Sequence, residues 1–156
     1  MLAVTYSGTL LMYRPVYSLY GDGRFVVEQQ SHSGELLDSV EMHLSFAEVQ
    51  SLLRTLIDHG FLDTTQRSLE DRLRGDHAPS RLIDGGTMMV AMHLDSYTKG
   101  KETVGPLTQW IAVAAPGRSH RPNPAVPELT GFSLLAERLV ELERTAKARA
   151  SSEIDL

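Results

Sequence analysis

The sequence predicts an α+β domain: a mostly antiparallel sheet of five or six strands with two amphipathic helices packed on one face. Three observations carry that prediction. The first third alternates apolar and polar residues at the period of a strand and is punctuated by a Gly-Asp-Gly turn. Two later segments, about 45–59 and 132–149, repeat apolar residues at helical spacing. Between them, short alternating runs separated by turn residues resume the strand pattern.

The elements follow in chain order. Val4, Tyr6, Leu10 and Met12 share one parity of a first strand interrupted at Gly8, and Pro15 then marks a break or an edge. Val16 to Tyr20 and Arg24 to Glu28 flank Gly21-Asp22-Gly23, a hairpin whose turn residues tolerate positive φ. Ser39 to Leu44 is a further strand, with Val40, Met42 and Leu44 inward and Glu41 and His43 outward. Ser45 and Glu48 form the S-x-x-E capping signature of a helix start. Phe46, Val49, Leu52, Leu53, Leu56 and Ile57 then make one apolar face, and Gly60 ends the helix.

Residues 63–86 are polar and charged, with only Leu69 and Leu73 to bury and room for a short surface helix over 68–74. Strand alternation resumes with Met88, Val90, Met92 and Leu94, and Tyr97 to Val104 reads as a second hairpin. Gly105-Pro106 bends the chain, and Gln109 to Ala114 reads as a last strand, with a short helix as the alternative. Pro116 to Pro127 is an extended, proline-rich connector. Phe132, Leu135, Leu139, Leu142 and Ala146 form the seam of the closing helix, supported by a Glu143–Lys147 pair. The expected domain is a single one over 1–150, with 151–156 a frayed tail.

With 156 residues and 42% of them hydrophobic, the chain is long enough to bury a core unaided. The absence of cysteine removes disulfides, thiolate metal sites and cysteine nucleophiles together. A net charge of −5, concentrated in residues 1–65 where three arginines face eight acids, argues against nucleic acid as a partner. No apolar run approaches the roughly 18 residues that span a bilayer, so no transmembrane segment is expected. Met1 to Val16 has no cationic residue ahead of its apolar cluster, so the sequence reads as cytoplasmic, or as exported if a signal has been removed.

No phosphate loop, G-x-S-x-G elbow, H-E-x-x-H or dinucleotide fingerprint is present, and no cofactor is implied. The expectation is a non-catalytic protein-interaction module, an accessory subunit or adaptor that binds a protein partner or itself. Several strands are apolar on both parities, which asks for a covering on the second face of the sheet. The candidate contact residues are Met89, Ala91 and Trp110 on that face, with Arg118, His120 and Arg121 from the connector. The two long loops draped over the same face are the competing explanation. The alternative function is a metal- or small-molecule-binding domain using His77, Asp84, His93 and Asp95, because imidazole and carboxylate suit Zn²⁺, Mn²⁺ or Fe²⁺. His43 and His93, both outward on their strands, would pair if those strands were neighbours.

The run Pro15-Val16-Tyr17-Ser18-Leu19-Tyr20-Gly21-Asp22-Gly23-Arg24-Phe25, followed by the capped helix ending at Gly60-Phe61-Leu62, a strand hairpin and a closing helix, resembles a family of small bacterial α+β domains of unknown function. The resemblance covers the order of elements from about 14 to 148 and implies a domain that is often secreted or lipid-anchored. This chain departs from it in lacking a lipid-acceptor cysteine and in its basic, proline-rich stretch before the last helix. The family supplies no functional residues to carry over.

Overall fold

A computed structural model describes residues 1–7, 14–73, 86–99, 101–114 and 126–154. Strands β1 (Leu2–Ser7), β2 (Arg14–Leu19), β3 (Arg24–Gln30) and β4 (Leu36–His43) lead into helix α1 (Phe46–Ile57), a 3-10 turn (Phe61–Asp63) and helix α2 (Gln66–Leu73). Strands β5 (Thr87–Leu94), β6 (Tyr97–Lys99), β7 (Glu102–Val104) and β8 (Leu107–Ala114) follow, and helix α3 (Pro127–Ile154) closes the chain. Six strands form one antiparallel sheet in the order β4-β3-β2-β1-β5-β8, while β6 and β7 pair apart as a two-stranded hairpin. The α+β class with a mostly antiparallel sheet is therefore the architecture of the chain. No described helix is long and apolar enough to cross a membrane.

The sheet is a meander with β5 added to the free side of β1. The Gly21-Asp22-Gly23 turn joins β2 to β3, with Gly23 at φ +92° and the Asp22 carboxylate accepting from the Arg24 amide at 3.0 Å. A side chain at Gly23 would collide with the Leu44 carbonyl, whose own amide donates to Gly23 O at 2.8 Å. Glycine there lets β4 run close behind the turn. Pro15 lies within β2, opposite Gln29 of β3, but the pairing of β2 with β1 stops at Thr5↔Val16. The missing amide therefore falls on the side where β2 has already outrun its neighbour.

Alternate residues of every strand face the helices. Leu2, Val4, Tyr17, Leu19, Phe25, Val27, Met42, Met88, Val90, Met92, Ile111 and Val113 are buried on that side. Against them pack Val49, Leu52 and Leu56 of α1 and Phe132, Leu135, Leu139, Leu142 and Ala146 of α3, with Leu69 of α2 at the margin. Ser45 caps α1 as its spacing foretells: its hydroxyl accepts from the Glu48 amide, and the Glu48 carboxylate accepts from the Ser45 amide. The Ser45 hydroxyl also donates to that carboxylate at 2.7 Å, and this bond, with the one from the Ser45 amide, holds the Glu48 carboxyl below the usual carboxylate range.

The structure differs from the sequence reading in each of its three described α-helices. Phe46, counted in the apolar face of α1, is 78% exposed because it sits at the first helical position, to one side of the stripe that Val49, Leu52 and Leu56 bury. The short helix expected at 68–74 begins at Gln66, with Thr65 and Ser68 exchanging side-chain-to-amide bonds at its start. The last helix starts at Pro127, five residues ahead of the expected 132, because proline pre-sets φ at a first helical position and Glu128 follows in the first turn. Its far end runs to Ile154, into the segment expected to fray, and Ser151 and Ser152 return hydroxyl bonds to the helix backbone. The expected connector over 116–126 lies almost wholly outside the described residues, as does the strand continuation at Leu10 and Met12.

Leu52 and Phe46 give a matched pair for testing this packing. Leu52→Ala, at a 2% exposed site, is expected to cost about 3 kcal/mol in denaturant unfolding, whereas Phe46→Ala is expected to cost under about 0.5 kcal/mol. Equal losses at the two positions would contradict the packing described.

Candidate functional site

The second face of the sheet is built from the parity the helices do not touch. Its residues align in rows across the strands: Glu41, Val26, Ser18, Ala3, Ala91 and Trp110 in one, Ser39, Glu28, Val16, Thr5, Met89 and Ala112 in the next. Not one of these is buried. Trp110 is 56% exposed and Met89 39% exposed, on adjacent strands and adjacent rows, with Ala91 and Ala112 between them. Within these two rows the β1–β5–β8 half of the face is uncharged and mostly apolar, with Thr5 its polar member and His93 and Thr108 in the row beyond, while Glu28 and Glu41 lie on the β3–β4 half. Glu41 is partnered by Arg24 at 3.6 Å, and the Arg24 guanidinium lies 4.0 Å over the Tyr20 ring.

Of the residues expected to make contacts, the structure brings Met89, Ala91 and Trp110 together on this face. Arg118, His120 and Arg121 lie outside the described residues. So do His77 and Asp84 of the alternative metal set. His93 and Asp95 do meet, with His93 Nε2 at 3.5 Å from an Asp95 oxygen and His93 Nδ1 at 2.7 Å from the Thr108 hydroxyl. Both ring nitrogens thus have protein neighbours, and both side chains are largely in solvent. Among the described residues no group of three or more histidines or carboxylates is placed to hold a metal ion. The suggested pairing of His43 with His93 fails on topology: β4 and β5 are separated by β3, β2 and β1, about 19 Å at ordinary strand spacing. Draping of the polar stretch over the second face is not what the described part of it does, since the 3-10 turn and α2 lie against β8 and Leu69 joins the helical side of the core.

A buried carboxylate, Glu128, escaped sequence reasoning, and a half-buried one, Glu143, was legible only as the i,i+4 partner of Lys147. Glu128, 3% exposed in the first turn of α3, accepts two bonds from Arg72 of α2, at 2.5 and 3.2 Å, and one from the Thr64 hydroxyl. Burial pushes its carboxyl up, but the Arg72 and Thr64 bonds outweigh burial and hold it below the usual carboxylate range. Glu143 accepts from the Tyr17 hydroxyl at 2.7 Å, Lys147 at 2.7 Å and Gln29 at 3.3 Å, and is likewise held low against the pull of burial. Burial also pushes the Tyr6 phenol, whose ring lies edge-on to Tyr17, well above the ordinary tyrosine range. The pattern Pro127-Glu128 is a readable helix-start signal, but nothing in the sequence names Arg72 as the partner. Both carboxylates have their acceptor oxygens taken by protein donors and tie helices to one another and to the sheet. Their arrangement is structural.

A shallow groove runs along the outer side of α1, lined by Phe46, Gln50, Arg54, Asp58, His59 and Leu134. It is open, and His59 Nδ1 is already bonded to the Thr55 carbonyl at 2.7 Å. No family model matches the chain, and no curated protein matches it, so the resemblance centred on Tyr20-Gly21-Asp22-Gly23 stands on those residues alone.

The depressed glutamates set an acid limit on stability. Each contributes stability that is fully present above its unfolded value, about 4.3, and lost as pH falls through its lower folded value. Thermal melts from pH 7 to pH 3 are therefore expected to show Tm falling below about pH 4.5 in the native chain. Glu128→Gln should lower Tm at pH 7 and fall less steeply with acid. Arg72→Ala, which strands the buried Glu128 carboxylate, is expected to cost about 2 kcal/mol at pH 7, tempered by the part-exposure of Arg72.

Proposed function

We propose that this protein is a non-catalytic interaction module, an accessory subunit or adaptor, whose contact surface is the β1–β5–β8 half of the second sheet face. The observation that supports the reading is Trp110, 56% exposed beside Met89 on a face where no described residue is buried. Tryptophan carries more contact energy per residue than any other side chain at protein interfaces, and methionine adapts its shape to a partner. Ala3, Ala91 and Ala112 surround them with short side chains, so an incoming residue can settle against the sheet between Trp110 and Met89.

The test is a comparison of surfaces within one protein. Tagged protein expressed in its native cell is expected to recover a partner in fixed stoichiometry, and Trp110→Lys or Met89→Lys should cut that recovery about tenfold or more without lowering Tm. Phe46→Lys, on the opposite layer, should leave recovery unchanged. A partner that tolerates both lysines, or a native protein that recovers none, overturns the reading.

A further inference from the structure

The two edges of the sheet are unlike. Along β4, Asp38, Glu41 and His43 put charged or polar side chains on the edge, and the Asp38 carboxylate accepts from the Ser39 amide at 2.8 Å. Such side chains discourage another strand from pairing. Along β8 the residues run Leu107-Thr108-Gln109-Trp110-Ile111-Ala112-Val113-Ala114, with no charge and no proline. A bare strand of that composition at a sheet edge is a template for a further strand.

Among the described residues, a side chain of α2 stands in the way. The Gln66 side chain meets Ala112 as a neighbouring strand would: Oε1 accepts from the Ala112 amide at 2.8 Å, and Nε2 donates to the Ala112 carbonyl at 3.2 Å. Nε2 also donates to Glu70 at 2.8 Å, which fixes the amide's orientation. Because both backbone groups of Ala112 point away from β5, antiparallel alternation turns those of Thr108 and Trp110 the same way. The helix that carries Gln66 is held by one fully buried side chain, Leu69, and by the Arg72–Glu128 pair.

We propose that β8 is a pairing edge held shut by Gln66, and that the strand it accepts once Gln66 is withdrawn is β8 of a second copy, antiparallel and centred on Trp110. In that register Trp110 faces Trp110, and Thr108 of each copy faces Ala112 of the other. Every outward backbone group of one strand then meets an outward group of its mate, with no like charges in line. Gln66 blocks the arrangement twice, once in each copy, because Ala112 is a paired position at both ends. The edge is distinct from the face on which the proposed function rests, and Thr108 at the edge separates the two.

Sedimentation velocity over a wide concentration range, with the emission of the single tryptophan as a second readout, tests the proposal. Gln66→Ala keeps the Arg72–Glu128 pair and is expected to tighten self-association by about tenfold for each copy's lost guard, with Trp110 emission shifting as dimer forms. Adding Thr108→Pro removes an outward amide and leaves the backbone bonds to β5 in place, losing there only the hydroxyl's exposed bond to His93, and is expected to restore the monomer. Melting curves confirm that each variant is folded. A folded Gln66→Ala protein that stays monomeric overturns the proposal, and so does a dimer that survives Thr108→Pro, which would place association on the second face instead.

Discussion

A six-stranded antiparallel sheet has two faces to keep from water, and among the described residues there are only two long helices, both on the same side. That imbalance organises the molecule. Leu52 of α1 and Leu139 of α3 close over Leu2, Val4, Tyr17, Leu19 and Phe25, so the middle of the sheet is dried where the helices lie side by side. At the β8 margin the cover is made from smaller pieces, the 3-10 turn and α2, which place Phe61 and Leu69 in the same core. Gln109 crosses from sheet to turn there, its amide donating to the Phe61 carbonyl at 2.7 Å and to the Thr64 carbonyl. The opposite face receives no such cover from any described element, and its central residues are short or apolar.

Joining these pieces requires polar groups inside the layer. Glu128 binds the start of α3 to α2 and to Thr64, and Glu143 binds the middle of α3 to β2 and β3. The carboxylate drawn out of water, fully for Glu128 and in part for Glu143, would be costly alone and is tolerated because several donors converge on it. Apolar contact alone would let α3 slide or rotate on the sheet; the two glutamates, fifteen residues apart along α3, fix both its rotation and its position. A side chain at Gly131 would run into His59, so the helix pair is also held at close approach at this end.

The parts of the fold legible in the sequence are those whose signals are local. The Gly21-Asp22-Gly23 hairpin, the Ser45–Glu48 cap and the inward Val40 and Met42 of β4 depend on neighbours within a few residues, and the structure contains each of them. Met88 and Met92 were legible as core because strand parity separates them from Met89. Phe46 misleads because its spacing belongs to the stripe while its place at the helix start does not. The bonds of Arg72 to Glu128 and of Gln66 to Ala112 join residues 56 and 46 positions apart, and no local pattern points from one to the other. Of the candidate site, the exposure of Met89 and Trp110 follows from alternation, whereas their placement side by side depends on β5 pairing with β8 across the intervening hairpin.

The central position of β1 has a consequence for how the chain is made. β1 pairs with β2 almost at once, but its other side waits for β5, with Leu2 opposite Met92 and Val4 opposite Val90. At ordinary rates of synthesis the end of β5 is made about 4–17 s after the end of β1. Until β5 is made, the side of β1 that will lie at the middle of the sheet has no strand to pair with.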